Sequence, residues 1–292
     1  MAVYDQGYRP YSGPLTPEWT RFLVLPRYAA RSVLRSRLFA GFLAALGMFT
    51  LFCCLAIYGA HNLPQIPGLE LPIDLGAALD ENFGALYLRV FLFLESILGG
   101  FMIAIVVGPG LLSADLANGA LPLYLSRPIS RAEYVLGKAA VLAGLLSLVT
   151  FLPGLLLFGL EAYYAGWDWM ARHGRLALGI TAGSLVWIAV LTLFSLAVSA
   201  LVRWRSLGRA ALFGLFVLPG GFGAAIDGLF GTSWGGLLSP TKVITRVWVH
   251  LFDPALEPNR LSVPAAWASL AAMLALALLV LRRKLRAYEV VR

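Results

Sequence analysis

The chain is 292 residues long, 60% hydrophobic and only 13% charged, with a mean hydropathy of +0.80. Soluble domains run at about 45–50% apolar and about 25% charged, so a water-soluble globular enzyme is excluded. A disordered chain is excluded too, since disorder requires few of the aliphatic and aromatic residues that dominate here. Lys and Arg number 23 against 15 Asp and Glu, a net charge of +8. The cations gather at the ends of apolar runs, where they set membrane topology, rather than forming the basic face of a nucleic-acid binder.

Residues 1–37 form a polar, Arg-bearing segment, too long and too charged for the leader of a secretory signal. Thr16-Pro17-Glu18 reads as a helix start, with an N-cap hydroxyl, Pro at N1 and an acid in the first turn. A second start at Pro26 places Arg27, Arg31 and Arg35 every four residues, opposite Ala29, Ala30 and Val33. This pattern suits a helix along the headgroups or a simple juxtamembrane anchor. Residues 38–281 carry six apolar runs of the roughly 20 residues that a bilayer core requires. They are Leu38–Tyr58, Leu86–Val107, Val135–Leu160, Ala177–Val202, Ala210–Phe230 and Val263–Leu281. A basic tail, residues 282–292, follows. The expected fold is all-α, a polytopic membrane protein with six transmembrane helices. An even number of spans puts both termini on one side. That side collects Arg9, Arg21, Arg27, Arg31, Arg35, Arg37, Arg127, Arg131, Lys138, Arg203, Arg205, Arg209 and the five cations of the tail. Only Arg89, Arg172, Arg175, Lys242, Arg246 and Arg260 fall on the other, so both termini are expected to be cytoplasmic, as in a multi-pass protein of the inner membrane.

Within the first span, Cys53 and Cys54 are adjacent, without metal spacing, and read as packing residues. The stretch from Ala60 to Ala85, with Pro64, Pro67 and Pro72, reads as an irregular outer loop. Glu95 lies about a third of the way into the second span. An acid there costs about 2.5–3.5 kcal/mol on insertion scales and therefore faces a partner or a wet cavity. Next comes the most informative segment. Gly108-Pro109-Gly110 weakens the helix, and Leu111–Asn118 forms two more turns that group Leu111, Leu112 and Leu116. Gly119 is a natural stop. Leu123-Tyr124-Leu125-Ser126-Arg127-Pro128 is an apolar and aromatic cluster flanked by cations. Ser130-Arg131-Ala132-Glu133 reads as a capping box that restarts the third span, with Ile129 and Tyr134 as its staple. The loop is therefore short and held at both ends.

Farther on, Leu218-Pro219-Gly220-Gly221 is expected to break the fifth span, and Asp227 sits near its outer end. Ser239-Pro240 starts an outer amphipathic helix in which Val243, Ile244, Val247, Trp248 and Leu251 form an apolar stripe. Lys242, Arg246 and His250 are expected to point away from it. Val243, Val247 and Trp248 are candidates for a lid over a pathway; the alternative is an interfacial helix on the outer leaflet. Enzymatic signatures fail. No G-x-x-x-x-G-K-[ST] loop occurs, and His61, His173 and His250 fall in separate outer segments without H-E-x-x-H or G-x-S-x-G. The chain is thus not expected to be an enzyme, nor to hold a catalytic, cofactor or metal site of its own.

The run Ser113-Ala-Asp-Leu-Ala-Asn-Gly119, followed by Leu123-Tyr-Leu-Ser-Arg-Pro-Ile-Ser-Arg131 and Tyr134-Val-Leu-Gly-Lys138, resembles the cytoplasmic loop of ABC-2-type transporter permeases. That loop typically reads as an acid, a Gly-Thr-Leu step, a leucine-rich stretch, Ser-x-Pro-x-Ser-Arg and Gly-Lys. Ala120 and Pro122 depart from the pattern, leaving Asp115 as the acid before the prolines. The six-span plan is also similar. The resemblance implies an exporter subunit that couples to a separate ATP-binding cassette subunit through a short cytoplasmic coupling helix and loop. On this sequence the coupling residues would be Leu111, Leu112, Asp115, Leu116, Asn118, Gly119, Leu123, Tyr124, Leu125, Arg127 and Arg131. ATP and Mg would sit on the partner ATPase, and a second permease copy or paralogue would complete a dimer in membrane lipid, with no nucleic acid involved. The competing reading is an ion- or proton-coupled secondary transporter that uses Glu95.

Overall fold

The computed structural model describes residues 31, 33–67, 73–120, 130–252 and 261–286, with Leu285 and Arg286 described by backbone alone. Among these residues there is no strand, and six helical stretches are long and apolar enough to cross a membrane. In chain order the helices are α1 (Arg37–Asn62), α2 (Leu75–Ala117), α3 (Arg131–Ala165), a short α4 (Trp167–Arg172), α5 (Gly174–Leu201), α6 (Arg205–Phe230), α7 (Pro240–Phe252) and α8 (Val263–Arg286). All except α4 and α7 are spans. The basic helix expected before the first span lies almost wholly outside the described residues.

Local signals place most of the helix ends. Ser36 caps α1, its hydroxyl accepting the Phe39 N–H at 3.4 Å. Asp74 caps α2 through Ala77 N–H at 3.1 Å. Helix therefore begins at Leu75, inside the stretch that reads as an irregular loop. The three prolines of that stretch all precede Asp74, so nothing after it opposes a helix. The hydrogen bonding of α2 widens to π-helical between Tyr87 and Gly100 and returns to α-helical from Phe101. α3 is interrupted at Thr150 and resumes at Phe151. Pro153 falls in the first turn of the second piece, where its missing N–H costs nothing.

The expected break in the fifth span does not occur: α6 runs unbroken from Arg205 to Phe230 with Pro219 inside it. In hydrocarbon the remaining backbone groups have no water to turn to, so a continuous helix with neighbouring support satisfies more of them than an open break. Thr241 of α7 braces α6 close by, its hydroxyl donating to the Phe216 carbonyl at 3.4 Å, although the carbonyl that Pro219 leaves without its helical donor is that of Leu215.

α5 is the central post, with 72% of its most apolar window buried, against 11% for α1 and 17% each for α6 and α8. It packs on α2, α3, α6, α7 and α8. The sequence of α5 explains the position. Gly179, Gly183, Ser184, Ser195, Ser199 and Ala200 are all buried, and small residues let helix backbones approach closely where lipid supplies no hydrophobic drive. Trp187 fastens the centre. Its indole N–H donates to the Ser96 carbonyl of α2 at 2.8 Å, and its ring meets Trp248 of α7 and Phe216 of α6 edge-on at 5.5 and 5.9 Å.

Candidate functional site

The candidate site is the turn between α2 and α3. α2 ends in a Schellman motif, in which Ala120 N–H donates to Asp115 O and Gly119 N–H to Leu116 O. Gly119 adopts φ +63°, a left-handed conformation that costs a residue with a Cβ about 1–2 kcal/mol. α3 begins with the full capping box. Ser130 Oγ accepts the Glu133 N–H (3.2 Å), and Glu133 Oε2 accepts the Ser130 N–H (2.6 Å). Between the two caps, Leu123, Tyr124, Leu125 and Arg127 lie outside the described residues.

The two helices are clasped just behind these caps. Asp115 Oδ2 accepts the Tyr134 hydroxyl at 2.6 Å and pairs with Lys138 Nζ at 2.8 Å, while the ammonium stands 5.7 Å from the Tyr134 ring centre. The Lys138 and Asp115 side chains are only 12% and 17% exposed. Asp115 Oδ2 is thus engaged on α3. Of the other expected coupling residues, Leu111 and Leu112 are buried in the bundle core, whereas Leu116 and Arg131 are half-buried and Asn118 and Gly119 exposed. Among the described residues of the pattern, Asn118 and Gly119 are the ones fully at the surface.

Beneath the clasp lies a close three-helix contact at Gly108-Pro109-Gly110, where weakening was expected and α2 instead continues. Ser199 of α5 accounts for it. Its buried Oγ accepts the N–H groups of Leu112 and Ser113, both at 2.9 Å, and donates to the Pro109 carbonyl at 2.7 Å. Ser113 Oγ donates to the same carbonyl. A serine from the neighbouring span thus ties the turn that follows the proline to α5. Gly108 has to lack a side chain here, because a Cβ would overlap Ser195.

The intramembrane acids differ in their surroundings. Glu95 is buried, and its Oε1 accepts the Thr50 hydroxyl of α1 at 2.7 Å; Oε2 has no hydrogen-bond partner among the described residues. Asp227 accepts the Gly235 N–H at 2.7 Å and the Thr232 hydroxyl at 3.4 Å, closing the turn after α6. Val243, Val247 and Trp248 are buried against α5, with the Trp248 indole N–H on the Gly183 carbonyl at 3.0 Å. Arg246 does not point away: it is 8% exposed and donates from Nε to the Leu261 carbonyl at 2.8 Å. Helix α7 is packed on several sides, so a one-stripe reading understates its burial.

Two features have no counterpart in the sequence reading. An apolar cavity of about 660 Å³ opens between α1 and the first half of α2, lined by residues such as Phe52, Leu55, Leu79, Phe83 and Phe91. Near it, His61, Asp80 and Glu161 converge from α1, α2 and α3. No local motif announces residues that come from three helices. Against known proteins, the family model described as ABC-2 family transporter protein matches residues 31–232. No curated protein matches the chain.

Proposed function

The chain belongs to the ABC-2 transporter family, and on that premise we propose that it is the permease subunit of an exporter driven by ATP hydrolysed on a separate subunit. The observation that carries this reading is the clasped α2–α3 turn. Two capped helix ends, tied together through Asp115, Tyr134 and Lys138, make a stiff handle. That handle is continuous through α2 with the Ser199 contact on the central helix. A push on either capped helix end is thereby delivered to the core.

In this reading the turn and both termini face the cytoplasm, as the distribution of Arg favours. The membrane is the inner one, ATP and Mg reside on the partner, and two permeases work with two ATPase subunits. The chain itself performs no hydrolysis. The test is to purify the complex from its own host and combine Tyr124→Ala, Leu125→Ala and Arg127→Glu. Loss of the ATPase subunit, or of the transport it drives, is expected. An ATPase that binds and responds as before would refute the role of the turn.

A second reading, ion-coupled transport through Glu95, draws support from the unpartnered Oε2 of that buried side chain. Glu95→Gln separates the two. Under the ATP-driven reading, transport by the variant persists and is insensitive to collapse of the ion gradient.

A further inference from the structure

We propose that His61, Asp80 and Glu161 form a binding site for one divalent transition-metal ion of the zinc type, at the end of the bundle remote from the α2–α3 turn. The three residues come from the last turn of α1, the first part of α2 and the last turns of α3. Their donor atoms all lie within 4.8 Å of one another. His61 Nε2 is the point of convergence, 3.4 Å from Glu161 Oε2 and 4.0 Å from Asp80 Oδ1. These separations are longer than the roughly 2.7–2.9 Å of a charge-assisted hydrogen bond. The shortest is close to the roughly 3.3 Å that separates two ligands on a tetrahedral zinc with metal–ligand bonds near 2.0–2.1 Å.

A second observation points the same way. Glu161 is wholly buried, and neither its Oε1 nor the buried Oδ1 of Asp80 receives an N–H or hydroxyl donor; the two carboxyls face each other, so a cation between them, or a proton shared by them, is what would satisfy both. Among the described residues, no lysine or arginine makes an ion pair with either carboxylate. Buried carboxylate oxygens are normally hydrogen-bonded, paired or placed on a metal. A divalent cation among the three residues would neutralise two carboxylates at once and satisfy the orphaned oxygens.

The imidazole selects the class of metal, since Mg²⁺ and Ca²⁺ prefer all-oxygen cages whereas Zn²⁺ and its neighbours accept nitrogen. The His61 ring is held for the task. It stacks on Tyr164 at 5.3 Å and 11°, and Nδ1 faces Gly76, where a Cβ would stand 3.0 Å from it. The Trp169 indole N–H holds the Asp80 carbonyl at 3.0 Å and so fixes that turn of α2. Three protein ligands leave a fourth position open. Bound metal would tie the ends of α1, α2 and α3 together and fix the wall of the neighbouring apolar cavity.

The test uses the full-length protein, stripped of metal with a chelator and titrated with Zn²⁺ alone in detergent and in nanodiscs. Expected are one Zn²⁺ per chain, a zinc-edge X-ray absorption spectrum of one imidazole nitrogen and several oxygen ligands without sulfur, and a rise in melting temperature. Glu161→Gln and His61→Gln are each expected to weaken binding at least 10-fold and to abolish the thermal shift, while Mg²⁺ gives none. Sulfur in the coordination shell would move the metal to Cys53 and Cys54 and overturn the proposal. So would equal affinity in the variants, or no stoichiometric binding. If a variant does not fold, the spectrum of the unaltered protein still decides. A result in which the chelated protein is already at full stability and takes up no Zn²⁺ would assign the pair to a shared proton instead.

Discussion

Replacing Asp115 with alanine removes the centre of the clasp and tests whether the two helix ends act as one body. The Tyr134 hydroxyl loses a bond to a charged acceptor, worth about 1.5–3 kcal/mol. The Lys138 pair is mostly shielded, so it lies between the roughly 0–1 kcal/mol of an exposed pair and the about 3–5 kcal/mol for breaking a buried one. Part of that loss is recovered as the freed ammonium snorkels to water. The expected cost of Asp115→Ala is about 3–4 kcal/mol, and of Tyr134→Phe about 1.5–2 kcal/mol. Because both remove the same bond, the double variant should be no worse than Asp115→Ala by more than about 0.5 kcal/mol, a coupling of at least about 1 kcal/mol. The assay is reversible unfolding in mixed micelles, read as a double-mutant cycle. Simple additivity of the two substitutions would show that the hydroxyl and the carboxylate do not depend on each other, and the stiff-handle argument would fall with it.

Gly108→Ala drives a methyl group into Ser195 and should cost about 1–3 kcal/mol through overpacking, with Ser195→Gly in the same chain restoring most of the loss in thermal unfolding. Trp248→Phe keeps most of the ring but removes the indole bond to the Gly183 carbonyl, which keeps its helical donor; a loss of about 0.5–1.5 kcal/mol is expected, measured by thermal unfolding. A Trp248→Phe protein as stable as the parent would mean that α7 is not docked on α5 through this bond.

The spans were legible because lipid imposes length and apolarity on every one of them, and the capping box at Ser130 and the stop at Gly119 are local signals that need no tertiary knowledge. What stayed hidden depends on partners far away in the chain. Pro109 reads as a weak point and Pro219 as a break, since a sequence scan does not see Ser199 or Thr241 arriving beside them from another helix. Asp115 reads as a surface contact until Tyr134 and Lys138 are placed beside it. Arg246 looks solvent-facing on a helical wheel, yet the Leu261 carbonyl draws it inward. His61 and Glu161, 100 residues apart, meet only through the bundle. In the second span the early start at Leu75 was masked by the nearby prolines, although Asp74 is an ordinary N-cap.

The 43 residues of α2 have a mechanical consequence. At about 1.5 Å per residue they would span about 65 Å as α-helix, more than twice the roughly 30 Å of a hydrocarbon core. The Ser199 grip on Pro109 divides this rod unequally, with a short arm of about 12 Å to the turn and a long arm of at most about 44 Å to Asp80, less by the smaller rise of the π-helical stretch Tyr87–Gly100. A tilt of about 5° about that fulcrum carries the far tip through at most about 4 Å while the near tip travels only about 1 Å. Were the helix to pivot there, it would act as a lever, and a small stroke at one membrane face would become a larger excursion at the other.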